Sequence, residues 1–184
     1  MDPKTVRDAL ALACRAPSVH NTQPWRWLVG EHSVHLMADR TRALPATDPD
    51  GRDLLLSCGA ALHHLRTALA GLGLAARVHL LPNPADADHL AAVETHHRAP
   101  EDSDIALAAA LTRRRTDRRR YSSWPVPDEH LDLLVERAGA EGALLVPVTD
   151  PFDRQALTTG AAQAAAVQEH DPAYRGEMQV GRGR

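Results

Sequence analysis

Short hydrogen-bonding side chains are concentrated between two prolines in Ala16-Pro17-Ser18-Val19-His20-Asn21-Thr22-Gln23-Pro24-Trp25. Ser18 and Asn21 can each donate and accept within a small space, and Pro17 and Pro24 are expected to hold the loop extended, which lowers the entropy of presenting them. Such a segment suits the nitrogen and oxygen rim of a planar heteroaromatic ligand. It equally suits a plain helix-to-strand connection whose polar side chains cap their own backbone. His20 is placed to touch a ligand from this loop, or simply to face solvent.

The second reactive stretch is Arg113-Arg114-Arg115-Thr116-Asp117-Arg118-Arg119-Arg120, with six Arg in eight residues. Guanidinium groups make bidentate contacts to phosphate oxygens, and the Thr hydroxyl adds a neutral donor. A bound phosphate monoester would relieve the repulsion among these cations. Two other readings compete: a solvated face at a helix C-terminus, where the dipole favours cations, and a nucleic-acid patch. The net charge of −3 and the lack of interleaved aromatic residues weigh against nucleic acid.

Other chemistries lack their residues. Eleven His are present, but no H-x-x-x-H or H-E-x-x-H spacing occurs, and the adjacent pairs His63-His64 and His96-His97 place their rings apart on regular structure, so no metal site is expected. Cys14 and Cys58 make no C-x-x-C. There is no G-x-S-x-G, Walker A or G-x-G-x-x-G motif. The 184 residues are 43% hydrophobic and 24% charged, the balance of a globular protein. The chain has 20 Arg against a single Lys and only 3% aromatic residues, so its core must be built from Leu, Ala and Val. No run approaches the length of a membrane span, and Met1 to Arg15 has no basic region leading into an apolar stretch and cleavage site. A cytoplasmic location, with no membrane and no nucleic-acid partner, is the expectation.

The elements that must position these stretches are readable in outline. Asp2-Pro3 opens a helix to about Arg15, closed by Ala16-Pro17. Trp25 to Val29 and Val34 to Met37 read as a hairpin about Gly30-Glu31. A long helix, Arg52 to Ala70, is apolar nearly all round and therefore expected to be central and buried, with Gly71 and Gly73 stopping it. Ala75 to Leu81 reads as a strand, while periodicity leaves Ala91 to His97 open between strand and helix. Ser103 is the expected cap of a helix to Arg114, and Pro127-Asp128 of another to Ala138. A short strand is expected over Ala143 to Val148 and a last helix from Asp150-Pro151 to Glu169. Gly176 to Arg184 has no pattern and is expected to be frayed.

An internal echo runs through this order. Thr47-Asp48-Pro49 leads to Arg52 and then Gly59-Ala60-Ala61; Thr149-Asp150-Pro151 leads to Arg154 and then Gly160-Ala161-Ala162. Two copies of one unit, residues 1–112 and 113–184, would produce it, and so would coincidence in an Ala-rich chain.

The residues also carry a resemblance. Ala16-Pro17-Ser18, Asn21 and Gln23-Pro24-Trp25 resemble the A-P-S-x-x-N-x-Q-P-W segment of the nitroreductase family of FMN-binding flavoproteins. Arg114-Arg115-Thr116-Asp117-Arg118 resembles that family's R-R-S-x-R phosphate motif, with Thr for Ser. Trp124-Pro125-Val126-Pro127 resembles the Pro-Val-Pro stretch that leads from that motif into a helix. Ordinary members place the arginine motif first. The reversed order resembles the Acg-type branch, in which one chain carries two nitroreductase-like units and imitates the family's dimer. The chain is little more than half that branch's usual length, so the resemblance implies a second unit that is cut short.

The resemblance implies an α+β fold, a mainly antiparallel sheet packed against helices with a long central helix. It implies FMN as cofactor, with Pro17, Ser18 and Asn21 at the flavin ring, Arg114, Thr116 and Arg118 at the phosphate and ribityl end, and Gln23 and Arg115 as further cofactor-binding residues. It implies an oxidoreductase that moves hydride from NAD(P)H through flavin to a small-molecule acceptor, or alternatively a protein that binds or stores FMN with little turnover. No side chain is expected to act as a nucleophile, because the flavin carries the redox chemistry. At most one site is expected, since Arg137 to Gly142 occupies the place of a second polar loop. Self-association through an exposed Ala/Leu-rich face is a further expectation.

Overall fold

Asp2 accepts hydrogen bonds from the Thr5 amide at 2.8 Å and the Thr5 hydroxyl at 2.7 Å, and Pro3 takes the first helical position, so α1 runs Pro3–Ala13. In the computed structural model, residues 2–117, 119 and 124–182 are described. They divide into two units, Met1–Thr116 with Ala173–Arg184, and Asp117–Pro172.

In the first unit, Val6, Ala9 and Ala13 form the buried face of α1. They pack into a core with Leu65, Ala68 and Leu69 of α2 (Arg52–Gly71), Val34 and Val93 of the sheet and Leu111 of α3 (Asp102–Arg113). The core is the expected Leu, Ala and Val, and small Ala side chains let the helices approach closely. The long helix is less enveloped than its composition suggests. Its buried residues, Leu54, Ser57, Cys58, Ala61, His64, Leu65, Ala68 and Leu69, keep helical spacing along one stripe, while Leu56 is 70% exposed. Gly51, with φ +69°, precedes α2 and has no side chain to cap it. The Asp48 carboxylate substitutes, accepting from the Leu54 amide at 2.8 Å.

The sheet has four antiparallel strands in the order β1-β2-β4-β3: β1 Trp25–Val29, β2 Ser33–Ala38, β3 Leu74–Leu80 and β4 His89–His97. The 91–97 segment is therefore a strand, and a central one. It pairs with β2 on one side and β3 on the other, which supplies the long-range hydrogen bonds that periodicity could not reveal. Trp25, Leu36, Ala38 and Ala91 face Leu54, Cys58 and Ala61 of α2 in a second buried cluster. The architecture is α+β, an antiparallel sheet packed against helices.

Three local expectations change. Glu101, not Ser103, caps α3: its carboxylate accepts from the helix while Asp104 accepts from the Glu101 amide at 2.9 Å. Arg98 adds a 2.6 Å bond to the same Asp104, so this capping box outcompetes a lone Ser hydroxyl. In the second unit, α4 (Asp128–Ala140) and α5 (Pro151–His170) form, with Asp150 accepting from the Phe152 amide at 2.8 Å and the Asp153 amide at 3.1 Å. Ala143 to Val148 is irregular rather than a strand. A strand needs a neighbour for its N–H and C=O groups, and the described residues of this unit contain no other. Neither α4 nor α5 buries a residue. The tail expected to fray is instead helical as far as it is described, as α6 (Pro172–Arg182).

Candidate functional site

The proline-framed segment is not extended: local hydrogen bonds fold it into a short 3-10 turn, Val19–Asn21, between α1 and β1. Three of its non-glycine residues, His20, Asn21 and Gln23, have φ of 50°, 58° and 50°. This left-handed backbone is held against its steric cost by a set of hydrogen bonds. The Ser18 hydroxyl oxygen accepts from the Gln23 amide at 2.9 Å, closing the turn on itself. Thr22 Oγ1 donates to the Val19 carbonyl at 2.9 Å. From outside, Arg42 donates to the carbonyls of Thr22 at 3.2 Å and Gln23 at 3.3 Å. Cys58 Sγ donates to the Pro24 carbonyl at 3.2 Å.

Ser57 ties the loop to α2. Its hydroxyl accepts from the Val19 amide at 3.3 Å and donates to the Asp53 carbonyl at 2.7 Å. A small cavity lies here, lined among others by Val19, Thr22, Arg42, Asp48 and Ser57. Pro17 and Asn21 are exposed, Ser18 and Gln23 half-buried. His20 is half-buried and its Nε2 is fully enclosed with no hydrogen-bond partner. The polar loop is thus self-capped, as the helix-to-strand alternative requires. It still leaves the Asn21 side chain and the Pro17 ring at the surface.

The arginine stretch begins at the C-terminus of α3. Arg114 is half-buried and donates Nη2 to the carbonyl of Arg15 at 3.0 Å and Nη1 to Thr116 Oγ1 at 3.3 Å. Arg15 reciprocates, donating to the Thr112 carbonyl at 3.0 Å. Arg114 is thereby anchored, within the first unit, to Arg15, which lies two residues before Pro17 in the chain. Arg114 Nε is enclosed and has no partner. Arg115 donates to the carbonyls of Thr112 and Arg114, both at 2.9 Å. Beyond Thr116, Asp117 and Arg119 form an exposed ion pair of 2.6 Å. Those bonds hold the Asp117 carboxyl below its ordinary range. Arg118 lies outside the described residues. The run is thus spent partly on helix-end carbonyls, as the solvated-face reading anticipates.

His64 is buried on α2, with Nδ1 donating to the Leu12 carbonyl at 3.4 Å. Burial pushes its pKa below the usual imidazole value, and the nearby Arg114 charge pushes the same way. Burial raises the Cys58 thiol to about 11, which makes it inert. Among the described residues no cluster of His, Cys, Asp and Glu is suited to a metal ion, and no helix is long and apolar enough to cross a membrane.

Several organising residues were not visible in the sequence pattern. Ser57 stands in an apolar stripe, and Asp48, Arg42 and Arg15 act across 6 to 97 positions of chain. The T-D-P element containing Asp48 was the one available signal.

No family model matches the chain. It is 48% identical over 185 residues to "Putative NAD(P)H nitroreductase Rv3131" of Mycobacterium tuberculosis, a match that takes in all of this chain and 52% of the relative. It is 37% identical over 177 residues to "Putative NAD(P)H nitroreductase acg" of the same species, with 94% of this chain and 52% of the relative covered. The chain spans about half the length of the curated relatives it matches. Among solved structures, a nitroreductase family protein from Streptococcus pneumoniae aligns with 71% of this chain and 88% of its own, at 18% identity and a TM-score of 0.43. A "Putative NADH dehydrogenase/NAD(P)H nitroreductase" from Parabacteroides distasonis aligns with 55% of this chain and 80% of its own, at 15% identity and a TM-score of 0.44.

Proposed function

We propose that this chain is part of a nitroreductase-type oxidoreductase that binds FMN and passes reducing equivalents from NAD(P)H to a small-molecule acceptor. The observation that supports it most is similarity along the whole chain to relatives bearing that name, including the stretch where both reactive segments lie. The hydrogen bond from Arg114 to the carbonyl of Arg15, two residues before Pro17, is compatible with it.

The residues present suit the mononucleotide. Arg114 Nε is an enclosed donor with no partner, which a phosphate oxygen would satisfy once the guanidinium turned outward to meet it. An unmet buried donor of this kind costs roughly 1–3 kcal/mol, so filling it contributes directly to affinity. Thr116, already within 3.3 Å of Arg114, adds a hydroxyl at the same end. In this reading Arg114, Arg115, Thr116 and Arg118 hold the phosphate and ribityl chain. Pro17, Ser18, Asn21 and Gln23 meet the ring. The Ser18 oxygen already accepts from the Gln23 amide, so its part is to shape the loop and to donate its own proton outward. When bound, the flavin supplies the two-electron redox chemistry; the chain's side chains bind, orient and exclude water. The same reading takes residues 1–112 and 113–184 as two copies of one unit.

Flavin fluorescence titration of the purified chain tests the binding, and NAD(P)H bleaching of the bound flavin, then reoxidation with a quinone or nitroaromatic, tests turnover. Arg114→Ala is expected to weaken FMN by about 1.5–3 kcal/mol, the worth of a hydrogen bond to a charged group. Equal affinity in the variant would remove the arginine stretch from the site.

A further inference from the structure

The carboxylate of Glu177, on α6, is bound by a turn 130 positions earlier in the chain. Oε1 accepts from the Ala46 amide at 2.9 Å. Oε2 accepts from the Thr47 amide at 2.9 Å and from the Thr47 hydroxyl at 2.7 Å. Two consecutive backbone amides and a hydroxyl, all converging on one carboxylate, make an anion receptor of the kind backbone nests provide. Bonds of this charge-assisted type are about twice as strong as neutral ones.

One helical turn before Glu177, Tyr174 stands edge-on to the His20 ring, with centroids 6.3 Å apart and planes at 79°. Positions three apart share a helix face. Over residues 173–179 of α6, Tyr174, Glu177 and Met178 are half-buried, whereas Ala173, Arg175, Gly176 and Gln179 are exposed. One face of α6 is thus seated on the first unit, at the Ala46–Thr47 turn and at the strained loop that carries His20. An amphipathic helix of eleven residues is too short to hold its own structure in water. Its order must come from these contacts, and Glu177 makes three of them.

We infer that the Ala46–Thr47 turn is a carboxylate-binding site whose resident occupant is Glu177, and that this contact pins α6 against His20 as a releasable cover of that one residue of the proline-framed loop. The inference goes beyond the flavin reading and does not require it. Release of the carboxylate frees α6 and uncovers His20, and it vacates a turn that then takes another carboxylate.

Hydrogen exchange in the full chain tests the pin. In Glu177→Ala, amides of 172–182 are expected to exchange roughly tenfold faster or more, and those of the His20 loop faster also, the scale of losing charge-assisted bonds. Thr47→Val, which removes only the hydroxyl, is expected to give a smaller acceleration in the same two segments. Acetate added to Glu177→Ala is expected to shift the Ala46 and Thr47 amide resonances saturably, and to leave them unmoved in the native chain. Unchanged exchange over 172–182 in both variants would overturn the pin, and a turn that ignores acetate when vacated would overturn the receptor. Loss of flavin binding in every form of the chain, with exchange accelerated as expected, would sink the flavin reading and leave this inference standing.

Discussion

Ser57→Ala tests how the loop is held more sharply than any change to the loop itself. The substitution removes two hydrogen bonds of different worth. The bond to the Asp53 carbonyl is a back-bond within α2, of a kind that slightly destabilises a helix, so its loss costs little. The bond from the Val19 amide, at 3.3 Å and part-buried, contributes roughly 0.5–1.5 kcal/mol, and leaving that amide dry raises the cost towards about 3 kcal/mol. Ser57 is only 5% exposed, so water does not easily replace the hydroxyl. A net loss of about 1–2 kcal/mol is expected, since the hydrophobic methyl group fits the same stripe. Equilibrium urea unfolding reads this as a lower midpoint with an unchanged slope. Hydrogen exchange should place the loss at Val19, and FMN affinity should fall roughly fivefold to tenfold as the loop loosens. An unchanged midpoint together with unchanged protection at Val19 would refute the claim that α2 positions the loop.

Three single positions give further outcomes. Gly71→Ala would put a Cβ 2.5 Å from the Ala108 Cβ; overpacking of about 1–3 kcal/mol outweighs the up to about 1 kcal/mol that Ala gains in a helix, so urea stability should drop. Burial depresses the His64 pKa, so its contribution is fully present above the ordinary His value and is lost as pH falls through the lower folded-state value. His64→Gln should therefore flatten the acid limb of the stability profile, and an unaltered limb would clear His64 of any part in it. Cys58, raised to about 11, holds stability that is present below the ordinary thiol value and lost as pH rises through the folded-state one. At pH 8 iodoacetamide should modify exposed Cys14 and spare buried Cys58, one equivalent per folded chain; two fast equivalents would show that α2 opens readily.

Much of the first unit can be read from local chemistry. The Asp2-Pro3 start, the 25–38 hairpin and the Arg52 helix are each specified by caps, turns and periodicity within a few residues. What escapes is set by partners distant in sequence. The 91–97 segment becomes a strand because β2 and β3 flank it, and Ala143 to Val148 does not because its unit offers no such neighbour among the described residues. The 176–182 stretch has little helix propensity of its own, with Gly at 176 and 181, yet it is helical where Glu177 reaches Ala46 and Thr47. At the candidate site, residue types pointed to both stretches. They could not show that the Ser18 oxygen is already taken by the Gln23 amide, nor that Arg114 bridges to the Arg15 carbonyl.

Fluorescence titration of FMN into the purified chain, beside the same titration with Arg114→Ala, bears most directly on whether the two stretches serve one ligand. Saturable quenching at one equivalent, weakened at least tenfold in the variant, is the predicted result. Flavin that stays free at every protein concentration, or that binds both proteins alike, would contradict it.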